Sequence, residues 1–452
     1  MRFGLAIAIA AAFSIVQVFV IPRRVDVSTY GHYRLFLVYT GYIGLLHFGL
    51  VDGLFVRWAG RSAGAVRREW RTAVGWLLLM EGAILAAAIS AAFLTPDPVT
   101  RTFIVALGAT TLCANVSALE SFALQAVGDF KGAGRVAVAT PGLFVAFVSL
   151  VPVHGLVALL SLYVAATAMG TLYGAIRILR HVPSGAEVED DDSPTVYGAI
   201  ATGLPVMGAN LAAGMAQSVD RLLVSASTPI AGFALYGFAS TVAAAANAAT
   251  QALSRVALSH AARRPSEERA TFLGGFLDFI GVGCGVAMLA EPLFEHLVAA
   301  YLPAYAAALP IVRAITIGVP FWIATHVVLV GTLQSNGLVR RQFALEVCGV
   351  VFVAALCSVA IARHALLWQV AGAATGGAVL AFIVGTQLVR RAVPSARHLN
   401  TVRFSAASAL QAAALLVAMV TSDAWMHQTL AYLALSLAPT AYLAARARQQ
   451  PW

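Results

Sequence analysis

Apolar runs close to the roughly 20 residues that carry an α-helix across a bilayer recur along the whole chain. The first is Phe3–Ile21 and the last lies within Thr429–Ala444. Gly, Pro and charged residues separate about fourteen such runs, near 3–21, 33–53, 74–94, 101–125, 136–152, 155–176, 198–224, 233–257, 272–291, 307–331, 343–362, 365–388, 404–421 and 426–444. A single anchor would leave ordinary soluble sequence elsewhere. Here only 11% of residues are charged, against about 25% in soluble domains, and the deficit is spread evenly. The sequence therefore predicts an all-α polytopic membrane protein of about fourteen transmembrane helices, the fold class in which each segment satisfies its own backbone.

Charge sets the orientation. With the N-terminus placed inside, alternate loops and the termini hold 22 of the 29 Lys and Arg, Arg67, Arg68, Arg340 and Arg341 among them. The positive-inside rule puts both termini in the cytoplasm. The net charge of +9 is explained by these loops and gives no reason to expect nucleic acid. The opening MRFGLAIAIAAAFSIVQVFVIPRR imitates a signal peptide, but its apolar stretch is longer than a usual h-region and more spans follow, so it reads as an uncleaved first span.

The longest polar connection is RILRHVPSGAEVEDDDSPTVYG, 177–198, with an acidic run at Glu187–Asp192. It reads as a cytoplasmic linker between two six-helix halves. The segments at 30–61 and 233–264 correspond at a shift of 203 residues, with Tyr33 on Tyr236 and Arg61 on Arg264. The domain organisation expected is a six-helix lobe over 1–176, a linker over 177–197, a second, pseudo-symmetric six-helix lobe over 198–389, and two additional helices with a tail over 390–452. Six spans per lobe is an even number, so the repeats would be parallel, related by an axis along the membrane normal, with a substrate site at their interface.

Polar residues fall on stripes. The seventh span carries Gly203, Met207, Asn210, Gly214, Gln217 and Arg221 at spacings that hold one helical face, with Asp220 about 100° away. The eighth carries Tyr236, Ser240, Asn247, Gln251 and Ser254. Such stripes line a water-filled cavity or join helices to one another, and periodicity alone leaves both readings open. Arg221 with Asp220 either serves a ligand or caps a helix end. Asp52, Asp278 and Glu291 lie near span ends and read as solvated interface residues, whereas Glu81, Glu120 and Glu346 lie deeper and are candidates for ion coupling. Four cysteines (Cys113, Cys284, Cys348, Cys357) and ten scattered histidines show no ligand spacing, so neither a metal site nor a cofactor is expected.

Four stretches resemble the polysaccharide exporters that include the O-antigen flippases, within the multidrug/oligosaccharidyl-lipid/polysaccharide exporter superfamily. They are DVSTYGHYRLFLVYTGYIGLLHFGLVDGLFVRWAGR (26–61), SVDRLLVSASTPIAGFALYGFAS (218–240), YLPAYAAALPIVRA (301–314) and GTLQSNGLVRRQFALEV (331–347). The family's Lys after the tenth span is replaced by Arg340 and Arg341. The resemblance implies two lobes around a lumen, alternating access, and a transporter rather than an enzyme. The implied cargo is a polyprenyl-diphosphate-linked glycan, flipped for cell-surface polysaccharide synthesis across the bacterial cytoplasmic (inner) membrane, with H+ or Na+ as coupling ion and membrane lipid as the other partner.

Physical chemistry agrees with such a cargo. Sugar hydroxyls lose their hydrogen bonds in hydrocarbon, and guanidinium matches phosphate oxygens. The substrate-binding candidates are Asn210, Gln217, Arg221, Tyr236, Asn247, Gln251 and Arg313; the ion-coupling candidates are Asp220, Glu81, Glu120 and Glu346. Ion-coupled drug or cation efflux on the same fold would want an acidic, aromatic lumen, and a membrane glycosyl polymerase or ligase would want a sizeable extracytoplasmic loop. Orientation is tested by reporter fusions: a phosphatase fusion after Asp97 should be active and a fluorescent fusion after Pro183 bright. The opposite pattern would reverse the topology.

Overall fold

The computed structural model describes residues 2–58, 61–182, 196–261, 264–421 and 424–447, all helix or short connection with no strand among them. The chain packs as two units, Met1–Gly214 and Met215–Trp452. The helices of the first unit are α1 (Arg2–Arg24), α2 (Val27–Thr40), α3 (Leu50–Trp58), α4 (Ala63–Leu94), α5 (Pro98–Ala126), α6 (Phe130–Leu150), α7 (Gly155–His181) and most of α8 (Val196–Ala216). The second unit holds α9 (Val219–Ser227), α10 (Ile230–Ala261), α11 (Ser266–Met288), α12 (Glu291–Tyr301), α13 (Leu309–Ala324), a π-helical turn (Thr325–Val330), α14 (Gly331–Ser335), α15 (Val339–Ala362), α16 (Leu367–Ala392), α17 (Thr401–Thr421) and α18 (Trp425–Ala447).

Ten described segments are long and apolar enough to cross a bilayer, and eleven if the bent pair of α2 and α3 is one span. The three remaining expected spans fall on α1, α10 and α18. Large apolar side chains point outward, with Phe93 81% and Val420 87% exposed, which suits lipid and not water. Capping residues start helices where the sequence turns polar. Asp26, Asp97 and Asp129 accept the first-turn amides of Thr29, Thr100 and Gly132 at 2.9, 2.7 and 2.9 Å. The Thr29 hydroxyl and amide hold the Asp26 carboxyl below its usual range. Most of the expected linker, Pro183–Thr195 with the acidic run Glu187–Asp192, lies outside the described residues.

Three expected spans are not continuous helices. The second breaks at Phe48 and Gly49, which take φ of 49° and 81°, and bends by 67° between α2 and α3. The seventh ends at Ala216 and restarts at Val219, so the polar stripe from Gly203 to Arg221 does not share one unbroken helical face. The tenth passes through the π turn. Asp278 and Glu291, expected to be solvated, are 1% and 6% exposed. The first is held by Arg403 at 2.9 and 2.6 Å, and the second accepts the Thr316 hydroxyl at 3.2 Å. Helix packing at the span ends closes over them, which length and hydropathy alone do not reveal.

The bend in the second span is fixed by backbone contact within the first unit. Gly49, Leu50, Val51, Asp52 and Gly53 form a small-xxx-small element against Ala199 and Gly203 of α8. A Cβ on Gly53 would lie 1.9 Å from the Ala199 carbonyl oxygen, and one on Gly203 1.9 Å from that of Gly49. Only glycine permits this approach, the usual way membrane helices gain dispersion contact where no hydrophobic drive exists between them. Gly203→Ala should destabilise the protein by about 1–3 kcal/mol through overpacking, read as a lowered melting temperature in detergent by size-exclusion thermostability. The control Gly75→Ala, at a helix site with nothing near its Cβ, should melt like wild type. Equal melting of both variants with wild type would contradict the packing.

Candidate functional site

The break between α8 and α9 brings the charged dipeptide into a cavity of the second unit. Ser218 closes the turn with its amide on the Met215 carbonyl at 3.1 Å, and α9 then directs Asp220 and Arg221 inward. The cavity, about 290 Å³, is walled by α9, α10, α13, α15 and α16. Its polar lining is Gln217, Asp220, Arg221, Ser240 and Thr375, with Trp322 as the one aromatic; alanines, Ile315 and valines supply most of the rest.

A terminal nitrogen of the Arg221 guanidinium donates to the Gln217 carbonyl. Asp220 stands 4.0 Å from the guanidinium, and the two side chains are 16% and 20% exposed. The other oxygen of Asp220 accepts the Tyr236 hydroxyl at 2.8 Å. Tyr236 itself is fully buried and serves as a brace, not as cavity wall. A carboxylate, a guanidinium and a phenol therefore answer one another in a membrane-embedded setting, which lowers the penalty of placing them there. Two other arginines of this unit are closed on carboxylates: Arg313 with two nitrogens on Glu295 at 2.5 and 2.5 Å, and Arg403 with one terminal nitrogen on both oxygens of Asp278. Arg313 is thus tied into a buried pair and does not line this cavity.

The remaining candidates are dispersed. Asn210, in the first unit, donates to Asp52 at 3.1 Å, and Asp52 lies 3.8 Å from His47. Glu81 is fully buried and accepts the Asn115 amide at 2.6 Å. Glu120 is fully buried on α5, and neither of its oxygens has a hydrogen-bond partner. Its carboxylate occupies the space that Gly174 of α7 leaves, since a Cβ there would sit 2.1 Å from Oε2. Glu346 of α15 faces His326 at 3.4 Å. Asn247 and Gln251 are carried by α10, but their side chains lie outside the described residues. No group of three or more His, Cys, Asp or Glu is placed to hold a metal among the described residues.

Sequence reasoning did not single out Trp322, His326 or Thr375. Trp322 and His326 sit four apart on one turn of α13 and its π extension, so the i,i+4 spacing was a usable signal. Thr375 had none, because its place depends on how α16 packs on α13, where its hydroxyl donates to the Ala314 carbonyl at 2.7 Å. A second, largely apolar cavity of about 440 Å³ lies between α10, α11 and α13 and shares Ala246 and Val319 with the first.

The cavity lining is checked by chemical access. In a background lacking the four native cysteines, Gln217→Cys and Ala374→Cys should react with a polar, membrane-impermeant thiol reagent, and Tyr236→Cys should not. Protection at Gln217 and Ala374 together would mean that the cavity is closed to water.

No protein-family model matches the sequence, and no curated protein is significantly similar to it in sequence. Solved structures do match in fold. A lipid II flippase, MurJ, in an inward closed conformation superposes with a TM-score of 0.73 over 98% of both chains at 11% identity. A MOP-superfamily transporter from Pyrococcus furiosus has a TM-score of 0.55 over 88% of this chain and 95% of its own, at 15% identity. A multidrug resistance MATE family transporter in an outward-facing conformation has 0.54 over the same shares and at the same identity. By architecture, then, the chain has the fold that solved transporters of the MOP superfamily use, the lipid flippase and the multidrug transporters alike.

Proposed function

We propose that this protein flips a polyprenyl-diphosphate-linked oligosaccharide across the bacterial cytoplasmic membrane by alternating access, for cell-surface polysaccharide synthesis. The observation that carries the reading is Arg221 in the wall of a cavity built from membrane-embedded helices. A guanidinium in the wall of such a cavity presents planar donors to an anionic occupant, with Asp220 standing 4.0 Å beside it. A diphosphate presents oxygens to the fork of Arg221, and its arrival would let Asp220 remain with Tyr236, whose hydroxyl already holds it.

The rest of the lining suits the neighbouring sugar. The Gln217 amide and the hydroxyls of Ser240 and Thr375 offer hydrogen bonds, and Trp322 offers an apolar ring face. The fold supports the reading to a coarser degree, because the structure that covers 98% of this chain is described as a lipid flippase. The multidrug reading rests on Asp220, which also lines the cavity and would attract a cation. Tyr236 and Arg221 both bear on that carboxylate, and an anion is therefore the better match. In this reading the termini are cytoplasmic and the cargo's hydrocarbon tail stays in the bilayer.

Charge and fork geometry separate an anion site from a structural pair. In cells that depend on the protein for surface polysaccharide, Arg221→Ala should export at least tenfold less, and Arg221→Lys should retain part of the activity, at comparable protein levels. The exchange Asp220→Arg with Arg221→Asp keeps the net charge but moves the cation about 100° around the helix, and it should also fail. A well-expressed exchange variant with wild-type polysaccharide would remove Arg221 from the site. Resistance to cationic dyes that depends on Asp220, with polysaccharide unaffected, would favour efflux instead.

A further inference from the structure

Below the cavity, His326 and Glu346 meet in a recess of about 20 Å³, room for roughly one water molecule. Both belong to segments apolar enough to cross the membrane, and their side chains are only 14% and 5% exposed. His326 is carried on the π-helical turn, an irregularity that is found often at functional sites because it re-aims a side chain out of the helical register. Its ring lies on that of Trp322, with centroids 3.9 Å apart and planes 34° from parallel. Its Nδ1 is 2.9 Å from the Trp322 carbonyl oxygen. A carbonyl only accepts, so this contact assigns the ring hydrogen to Nδ1 and leaves Nε2 as the atom open to protonation.

Nε2 faces Glu346 Oε2 at 3.4 Å without making a hydrogen bond. The pairs that close firmly in this unit, Arg313–Glu295 and Arg403–Asp278, do so at 2.5 and 2.6 Å. The wider gap beside a water-sized void is a poor structural link but a suitable place for a proton to enter. Without that proton, an ionised Glu346 beside neutral His326 leaves one uncompensated negative charge in a buried, membrane-embedded site; with it the pair is neutral overall. The recess is not isolated: Ala216, Trp322, Val353 and Ala378 line both it and the cavity that holds Arg221.

Among the described residues lining the recess, Glu346 of α15 is the ionisable partner of His326, and the cavity above contributes Asp220 and Arg221. Helices α10, α11 and α16 also pack on the π turn, and none of their described residues brings an ionisable side chain to the recess lining.

We propose that the His326–Glu346 recess is a proton-binding site that exchanges with the water of the Arg221 cavity, so that the transporter carries a proton in part of its cycle. The inference rests on the transport reading above. It makes H+ the coupling ion and places its site one helix turn beneath Trp322.

Trp322 is a built-in reporter, because a protonated imidazole stacked on an indole quenches its emission. With the purified full-length protein, tryptophan emission should fall reversibly on acidification across the range where histidine takes up a proton, about pH 8 to 5. That change should be lost in His326→Gln and equally in Trp322→Phe. The second variant keeps the test valid where the first does not fold. A wild-type titration that matches the one for Trp322→Phe would overturn the proposal. In proteoliposomes with an internal pH dye, wild type should equilibrate protons under an imposed gradient, and Glu346→Gln should do so at least tenfold more slowly. Equal rates would also overturn it. Failure of the cargo reading shows separately, as normal polysaccharide export by Arg221→Ala while the Trp322 transition stays intact.

Discussion

A charge placed inside hydrocarbon has to be answered by another group of the same protein, and that requirement shapes the interior of this chain. Among the described residues of the second unit, three carboxylates are answered from a different helix. Arg403 of α17 reaches Asp278 of α11, Arg313 of α13 reaches Glu295 of α12, and Tyr236 of α10 reaches Asp220 of α9. Removing one member of such a pair strands the other and costs about 3–5 kcal/mol, so these contacts fix how the helices register. Arg221 is the member of this set whose carboxylate stands farthest off, and it is also the one in a cavity wall.

The first unit solves its packing differently. Its core is a cluster around Trp58, Trp70 and Leu77, and its closest contacts are made by backbone where Gly49, Gly53 and Gly203 remove side chains altogether. That approach brings α3 against α8 and places Asp52 within reach of Asn210. The stripe of the seventh span is divided between the two units: Asn210 bonds to Asp52 in the first, and Gln217 and Arg221 line the cavity of the second.

The class of the protein was legible in sequence because hydrophobic length and charge spacing are local quantities. Helix positions followed from the same runs, and Glu81, Glu120 and Glu346, read as lying deeper, are all buried. What stayed hidden depends on interruption and on long-range packing. The turn at Gln217–Ser218 carries no proline or glycine to announce it, and the π turn at Thr325–Val330 leaves no trace in hydropathy. Asp278 and Glu291 sit at span ends, and only the arrangement of α11, α12, α13 and α17 decides that those ends are covered. The recess of His326 and Glu346 joins residues twenty positions apart on either side of a cytoplasmic-type Arg pair, a contact that periodicity within one helix cannot predict.

The central claim is that a membrane-embedded guanidinium carries a lipid-linked diphosphate sugar from one leaflet to the other. The most direct measurement reconstitutes the purified protein in liposomes with a fluorescent prenyl-diphosphate disaccharide and adds a quencher that cannot cross the bilayer. With wild type, label from the inner leaflet should become reachable within the time of the assay, and with Arg221→Ala it should stay protected as in protein-free liposomes. Wild-type liposomes that protect the inner-leaflet label as fully as empty ones would contradict the account, as would equal loss of protection with Arg221→Ala.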